Sequence, residues 1–169
     1  FMGGQTLPAD VISDAFAEIT SPGRLEVVRR SPTIVLDAAH NPHGAEAVVA
    51  ALGDSFAFSP LVGVVGVMGD KDVEGLLAAF EPVFAHLVCT QNSTPRAMPA
   101  GELAQVAMGI FGADRVTIAP RLIDAIDQAT ALAEAGGVFG EGLGSGGVLI
   151  TGSVITVGEA RQLINPKGQ

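Results

Sequence analysis

The chain of 169 residues is 48% hydrophobic and 16% charged, a balance typical of a folded domain and not of a disordered segment. Its formal net charge is −9 and it has no basic stripe, which argues against a nucleic-acid backbone as a partner. The uncharged stretch 143–158 is interrupted by Gly, Ser and Thr, so no membrane span is predicted. The lone Cys89 cannot form an intrachain disulfide, which is compatible with the reducing cytoplasm that we expect for this protein.

Apolar residues recur along the chain with helical and strand periods in alternation. In chain order, the pattern predicts helix 8–19, edge strand 25–28, strand 33–36, helix 44–52, strand 61–67, helix 73–84 (broken near Pro82), strand 87–90, helix 99–111, strand 116–118, helix 122–135, a glycine-rich loop 136–147, strand 148–151 and helix 154–164. Short, fully apolar strands that alternate with helices are typical of a parallel sheet. The predicted fold is therefore an α/β, Rossmann-like, doubly wound domain with a mostly parallel sheet and helices on both faces.

Polar residues with ligand chemistry follow several of the predicted strands. In chain order they are Asp37 and His40, then Asp70-Lys71-Asp72, then Arg96, then Ser153. Because open α/β sheets bind ligands beyond the carboxyl ends of their strands, we expect these residues along one edge of the sheet. Each also has a plain structural interpretation, since Asp37 and Ser153 suit helix capping and the charged triplet suits a solvated turn.

Other patterns carry less functional weight. Residues 142–147 spell G-x-G-x-x-G but precede a strand, so they cannot place a pyrophosphate on a helix N-terminus, and a flexible loop is predicted. Asn92-Ser93-Thr94 matches a glycosylation sequon and is interpreted as an ordinary turn. His40, His43 and Asp37 lack a fourth ligand at a suitable spacing, so no metal ligand is predicted. The chain has no G-x-x-x-x-G-K-[ST] phosphate loop.

The ordered motifs of the chain resemble those of one family. They are Ser21-Pro22-Gly23-Arg24-Leu25-Glu26, Asp37-Ala38-Ala39-His40-Asn41-Pro42, Asp70-Lys71-Asp72, Pro95-Arg96-Ala97, and Thr151-Gly152-Ser153 with Val157-Gly158-Glu159-Ala160-Arg161. Together they resemble the C-terminal domain of folylpolyglutamate synthase/dihydrofolate synthase, the smaller domain of the Mur ligase superfamily. The resemblance implies that residues 1–20 are a helical lead-in from an N-terminal domain, and that residues 21–169 form the Mur ligase C-terminal-like domain.

The resemblance also implies an activity. The family comprises ATP-dependent amide ligases that add L-glutamate to folate, to dihydropteroate or to both, through an acyl phosphate. Its N-terminal domain supplies the phosphate loop, the Mg²⁺ ligands and most folate contacts. The chain by itself is therefore expected to be inactive, and the covalently linked N-terminal domain is an implied partner beside ATP and the substrates.

Five residues take roles through this resemblance. Arg24 faces the phosphates of ATP and of the acyl phosphate, where a guanidinium fork suits the growing oxygen charge. Asp37 accepts hydrogen bonds from the ribose hydroxyls, for which a carboxylate supplies two acceptor oxygens. His40 lies where glutamate meets phosphate, Ser153 binds the glutamate carboxylate, and Lys71 contacts glutamate or phosphate. Arg24 and His40 are thus the implied catalytic residues.

Two other functions stay open on the sequence. One is a non-catalytic nucleotide- or ligand-binding module of Rossmann-like fold, against which the coincidence of five motifs at strand ends argues. The other is a different Mur-type ligase, such as one that builds peptidoglycan precursors. The motifs that contain Asp37 and Lys71 favour the folate ligase.

Overall fold

The computed structural model describes residues 25–136 and 146–166 of the chain. Within these residues the strands are β1 (Glu26–Arg29), β2 (Thr33–Leu36), β3 (Leu61–Val65), β4 (His86–Cys89), β5 (Val116–Ile118) and β6 (Gly147–Thr151). The helices there are α1 (Pro42–Ser55), α2 (Val73–Phe80), α3 (Ala100–Phe111), α4 (Leu122–Gly136), α5 (Val154–Ile164) and a 3-10 helix at Ala113–Arg115. None of the described helices has both the length and the apolar character needed to cross a bilayer.

The strands form one sheet in the order β1-β2-β6-β3-β4-β5. The five strands from β2 through β6 are all parallel to their neighbours, and β1 runs antiparallel to β2 at the edge of the sheet. The central strands β3 and β6 are buried along their whole length, which explains their unbroken apolar sequences. The predicted mostly parallel sheet is confirmed, and the predicted edge strand is its antiparallel member.

Helices cover both faces of the sheet, as predicted. On one face α1, α2 and α3 pack against inward residues such as Val35 and Leu149. On the other face α4 and α5 pack against Ile34 and Ile150. Because successive strand residues point to opposite faces, each short strand contributes to two cores. Each fully buried aliphatic side chain stabilises the fold by about 1.5–3 kcal/mol, so both layers anchor the strand ends firmly.

The observed elements differ from the predicted ones mainly at their ends. β3 stops at Val65, since the carbonyl of Gly66 instead accepts a hydrogen bond from Thr156 Oγ1 at 2.9 Å. α2 stops at Phe80, close to Pro82, which cannot continue a regular helix. The 3-10 helix was not predicted because three residues are too few to show a period.

Three predicted features lie outside the described residues: the lead-in 1–20 with its helix, Arg24, and residues 137–145 of the glycine-rich loop. The last glycine of the G-x-G-x-x-G pattern is described. Gly147 is the first residue of β6, and a Cβ there would come within 2.4 Å of the Phe58 ring. Close packing against Phe58 therefore explains this glycine.

Candidate functional site

The carboxyl ends of β2, β6, β3 and β4 meet along one side of the sheet, called here the carboxyl edge. The parallel registers align the last residues of these strands with one another. Asp37, Ser153, the triplet 70–72 and Arg96 follow those ends. The loops after β3 and β4 also pair through a bridge between Met68 and Ala97. The prediction that the candidate residues share one edge is confirmed for those that the structure describes.

Asp37 is buried and ties three segments of backbone together. Its Oδ2 accepts the N–H of Leu25 at 3.0 Å and its Oδ1 accepts the N–H of Ala39 at 3.0 Å, while its own N–H donates to the carbonyl of Ile150 at 3.1 Å. Asp37 is not the cap of α1, because Asn41 caps that helix by accepting the N–H of Gly44 at 2.7 Å. The helix-capping interpretation of Asp37 is therefore wrong.

Leu25 is held by Asp37 in a conformation that a leucine rarely adopts. Its φ is +44°, in the left-handed region where a Cβ is strained. The hydrogen bond from its N–H to Asp37 stabilises this turn. Leu25 directly follows Arg24 in the chain, so Asp37 restrains the backbone next to that arginine.

His40 is partly buried beyond the end of β2. Its Nδ1 lies 3.1 Å from the carbonyl oxygen of Ala38. A carbonyl oxygen only accepts hydrogen bonds, so Nδ1 carries the hydrogen and the neutral ring has its lone pair on Nε2. In its neutral form the imidazole therefore has its hydrogen-bond acceptor at Nε2.

Ser153 is buried and caps α5. Its Oγ accepts the N–H of Thr156 at 3.0 Å. Capping leaves the other N–H groups of the first helical turn without intrahelical partners, and the helix dipole makes that end favourable for anions. The structural interpretation of Ser153 as a cap is confirmed, while its predicted contact with a carboxylate stays a prediction.

The charged triplet after β3 divides into a cap and an exposed pair of charges. Asp72 caps α2 by accepting the N–H of Gly75 at 3.0 Å. Asp70 lies 3.3 Å from Arg96 in an ion pair whose side chains are 58% and 72% exposed, so the pair contributes little stability. Lys71 is exposed, and its ammonium makes no hydrogen bond or ion pair with any described residue.

Asn92 is a buried residue of the carboxyl edge that sequence reasoning missed. Its Nδ2 donates to Thr156 Oγ1 at 3.0 Å and lies 3.4 Å from Ser153 Oγ. Its Oδ1 accepts both the N–H and the hydroxyl of Thr94, at 3.0 and 2.9 Å. The predicted turn exists, but its first side chain joins the loops after β4 and β6. A polar residue soon after an apolar strand, the signal used for Asp37, would have found it.

Glu159 extends this network to the surface. Both of its carboxylate oxygens accept the backbone N–H of Ser93, at 3.1 and 3.2 Å, and Oε2 also accepts the Ser93 hydroxyl. Glu159 lies on α5, so this contact fastens the turn that leads to Arg96 onto the helix capped by Ser153.

Gly152 allows two strand ends to approach closely. Its φ is +116°, and a Cβ there would lie 2.4 Å from the carbonyl oxygen of Gly66. The N–H of Gly152 donates to the carbonyl of Ala39 at 3.0 Å. Glycine is thus required both for its backbone conformation and for the approach of β3 to β6.

The described part of the chain offers no obvious metal site or nucleophile at this edge. Residues 25–136 and 146–166 contain no group of three or more His, Cys, Asp or Glu side chains placed to hold a metal ion. Burial raises the pKa of the Cys89 thiol to about 12, so it stays protonated and unreactive. The edge offers N–H and O–H donors together with the imidazole of His40 and the carboxylates of Asp37 and Asp70, which suits the binding of anionic, amino and hydroxyl groups.

Comparison with known proteins gives the same picture. Residues 23–154 match the family model of the Mur ligase glutamate ligase domain. The chain is 50% identical over 161 residues to the dihydrofolate synthase/folylpolyglutamate synthase of Mycobacterium tuberculosis. That match covers 93% of this chain and 33% of the relative, so the chain spans about a third of the length of this relative.

Solved structures agree with the sequence match. A structure of Mycobacterium tuberculosis folylpolyglutamate synthase complexed with ADP superposes with a TM-score of 0.84 at 50% identity, over 95% of this chain and 36% of that one. A structure of a bifunctional folylpolyglutamate synthase/dihydrofolate synthase with Mn, AMPPNP and L-glutamate bound superposes with a TM-score of 0.71 at 26% identity, over 96% of this chain and 36% of that one.

Proposed function

This chain belongs to the family of Mur ligase glutamate ligase domains, and we propose that it is the C-terminal domain of an ATP-dependent ligase that adds L-glutamate to folate, to dihydropteroate or to both. The observation that carries the proposal is the donor-rich carboxyl edge around Ser153, in a chain 50% identical to a synthase of that name. The protein acts in the cytoplasm, where Cys89 remains reduced.

The reaction has two steps. A carboxylate oxygen of the folate substrate attacks the γ-phosphorus of ATP; the new O–P bond forms, the bond from that phosphorus to the β,γ-bridging oxygen breaks, and ADP leaves an acyl phosphate behind. The glutamate amine, after losing a proton, attacks the acyl carbon; the new C–N bond forms, the C–O bond to phosphate breaks, and inorganic phosphate leaves. Both steps increase negative charge on phosphate oxygens, which preorganised donors stabilise.

Arg24 and Asp37 serve the nucleotide in this proposal. Arg24 stabilises the charge that grows on the phosphoryl oxygens. Asp37 holds the ribose hydroxyls: each of its oxygens already accepts one backbone N–H, and a carboxylate oxygen can accept more than one hydrogen bond. The bond from Asp37 to the Leu25 N–H, beside Arg24 in the chain, joins the two roles.

His40, Ser153 and Lys71 serve glutamate. The Nδ1 bond of His40 leaves Nε2 as the acceptor, which can hold a hydrogen of the incoming amine. Ser153 and the first turn of α5 bind the glutamate carboxylate. Lys71 is exposed on the same edge and supplies a mobile positive charge for glutamate or phosphate.

The N-terminal domain completes the enzyme in this proposal. That domain supplies the phosphate loop and the Mg²⁺ ligands. The chain by itself is therefore inactive. It closes over ATP and carries the glutamate site.

A ligation assay tests this function. The longer protein that contains this chain is incubated with ATP, Mg²⁺ and L-glutamate, with dihydropteroate in one series and reduced folates in another. We expect glutamate-dependent phosphate release in at least one series, and none from the chain alone. Absence of release from the longer protein in both series would contradict the folate ligase, while release from the chain alone would contradict the need for a second domain.

A further inference from the structure

The amide of Asn92 can be oriented in only one way. One end of this side chain lies 3.0 Å from the backbone N–H of Thr94, and a backbone N–H only donates. The oxygen must therefore face Thr94, and the NH₂ group must face the loop after β6. Asn92 is 3% exposed, so water cannot easily replace these bonds.

The direction of the next hydrogen bond is also fixed. Thr156 Oγ1 lies 2.9 Å from the carbonyl oxygen of Gly66, which only accepts, so the Thr156 hydroxyl donates its hydrogen there. Its oxygen is then the acceptor for the Asn92 NH₂ at 3.0 Å. The chain of hydrogen bonds runs from Asn92 through Thr156 to Gly66 without ambiguity.

These directions determine what the Ser153 hydroxyl can do. Its oxygen accepts the N–H of Thr156 at 3.0 Å and faces the NH₂ of Asn92 at 3.4 Å. Its own hydrogen has one weak acceptor among the described residues, Thr156 Oγ1 at 3.3 Å. With its lone pairs facing two N–H groups, Ser153 keeps a hydrogen to donate to a stronger acceptor.

We infer that Asn92 is a positioning residue for amino-acid binding: it fixes Ser153 as a hydrogen-bond donor to the carboxylate of glutamate. The inference rests on the proposed function and adds a residue to it. Asn92 acts through Ser153 and not by contact with the ligand. If an acceptor replaced the Asn92 NH₂, the Ser153 hydroxyl would donate its hydrogen to that acceptor. The Ser153 oxygen would then face the glutamate carboxylate and repel it.

Asn92 also restrains the loops that carry the other candidate residues. Its Nδ2 lies 3.6 Å from the sulfur of Met68, in the loop that leads to Lys71, and its Oδ1 holds the turn that leads to Arg96. The buried amide of Asn92, in the loop after β4, therefore contacts its own turn and the loops after β3 and β6, so it holds the three loops of the carboxyl edge together.

The test uses steady-state kinetics of the longer protein with Asn92→Asp, Asn92→Ala and Thr94→Val. Asn92→Asp keeps the shape of the side chain but replaces the donor by an acceptor, and we expect the KM for glutamate to rise at least tenfold. The KM for ATP should stay within twofold, because the nucleotide residues do not depend on Ser153. Thr94→Val removes one donor to Oδ1 and keeps the NH₂ bonds, so both constants should stay within twofold.

Each outcome has one meaning. An unchanged KM for glutamate in a folded Asn92→Asp protein, or an equal rise in both KM values, would overturn the inference while ligation by the wild type upholds the proposed function. If Asn92→Asp does not fold, as judged by thermal unfolding, Asn92→Ala takes its place. The inference then requires that the KM for glutamate rise at least threefold while the KM for ATP stays within twofold. A wild-type protein that ligates no glutamate would overturn the proposed function and this inference together.

Discussion

The two ends of the parallel sheet use their polar groups in opposite ways. At the carboxyl edge, Asn92, Ser153 and Thr156 form a network in which one hydroxyl hydrogen lacks a strong partner. At the other end, here called the amino edge, Arg115 donates to the carboxylate and carbonyl of Glu81 and to the carbonyl of Phe84, at 2.9, 3.0 and 2.6 Å, and its guanidinium lies over the Phe111 ring.

The comparison separates binding chemistry from structural chemistry. Arg115 donates its hydrogen bonds to groups of the protein itself. It therefore connects the end of α2, the segment before β4 and the end of α3. The carboxyl edge is also held by hydrogen bonds within the protein, but the hydroxyl hydrogen of Ser153 has only a weak acceptor among the described residues, Thr156 Oγ1 at 3.3 Å. We therefore expect variants at the amino edge to change stability alone and variants at the carboxyl edge to change ligation. The exception is a substitution that strains the backbone of the carboxyl edge, which should also lower stability.

The largest effect on stability is expected at the carboxyl edge, from Gly152→Ala. The new Cβ would lie 2.4 Å from the Gly66 carbonyl oxygen at a φ of +116°. Strain of this kind with overpacking costs about 4 kcal/mol, measured as a loss in the free energy of unfolding by denaturant titration.

Gly158→Ala is the matched control on α5. A Cβ at Gly158 meets nothing within 4 Å, so alanine in this helix should stabilise the protein by about 0.5–1 kcal/mol. Equal stability of the two variants would show that β3 and β6 do not need the close approach at Gly152.

The largest effect on catalysis is expected from Arg24→Ala in the longer protein. Loss of a donor to charge that grows in the transition state costs about 3 kcal/mol, or roughly a hundredfold in kcat. The KM for ATP should change less. Single-turnover rates at saturating ATP measure the chemical step directly.

Asp37→Ala sharpens this prediction by contrast. Ribose contacts change little during the reaction, so the variant should mainly raise the KM for ATP, with a further loss of stability because the Leu25 N–H loses its acceptor. A wild-type chemical step in Arg24→Ala would contradict the phosphoryl role of that arginine.

At the amino edge, Arg115→Met should destabilise the fold by about 2 kcal/mol, because several charge-assisted bonds are lost together. Ligation by the folded variant should be unchanged. Arg121→Met is the control: its ion pair with Asp124 spans 3.8 Å and Arg121 is 76% exposed, so its loss should stay within about 0.5 kcal/mol. Slower chemistry in Arg115→Met would show that the two ends of the sheet are coupled.

The fold could be predicted from sequence because its signal is local. Buried parallel strands such as β3 and β6 are continuous apolar runs, and the helices between them show a regular period. Once the sheet is known to be parallel, strand ends converge on one edge, which is why Asp37 and Ser153 could be placed together.

The polar network could not be predicted because its partners are distant in sequence. Thr156 is 90 residues from Gly66 and 64 from Asn92, and no spacing rule relates such positions. Arg115 was missed for the same reason, since its partner Glu81 lies 34 residues away. The direction of each hydrogen bond, on which the role of Asn92 depends, exists only in three dimensions.

The smallest effect is expected at His86, which begins β4 at the amino edge with its Nε2 2.7 Å from Thr117 Oγ1. Burial, and then the charge of Arg115, lower the pKa of His86, and Asp114 opposes this only in part. An unfolded histidine titrates near pH 6.5, so between that pH and the lowered folded pKa the unfolded chain binds more protons. Stability is then complete above about pH 6.5 and falls as the pH falls toward the folded pKa.

His86→Gln removes the titrating group and keeps a polar side chain, so its free energy of unfolding should depend less on pH below about pH 6.5 than that of the wild type. Thr117→Val is the matched variant: it removes the hydrogen-bond partner but leaves the imidazole partly buried beside Arg115, and it should retain the dependence. Denaturant titrations at a series of pH values measure both. An identical pH profile for His86→Gln and the wild type would show that other groups set the acid limit, and the amino edge would then be structural through Arg115 without a contribution from His86.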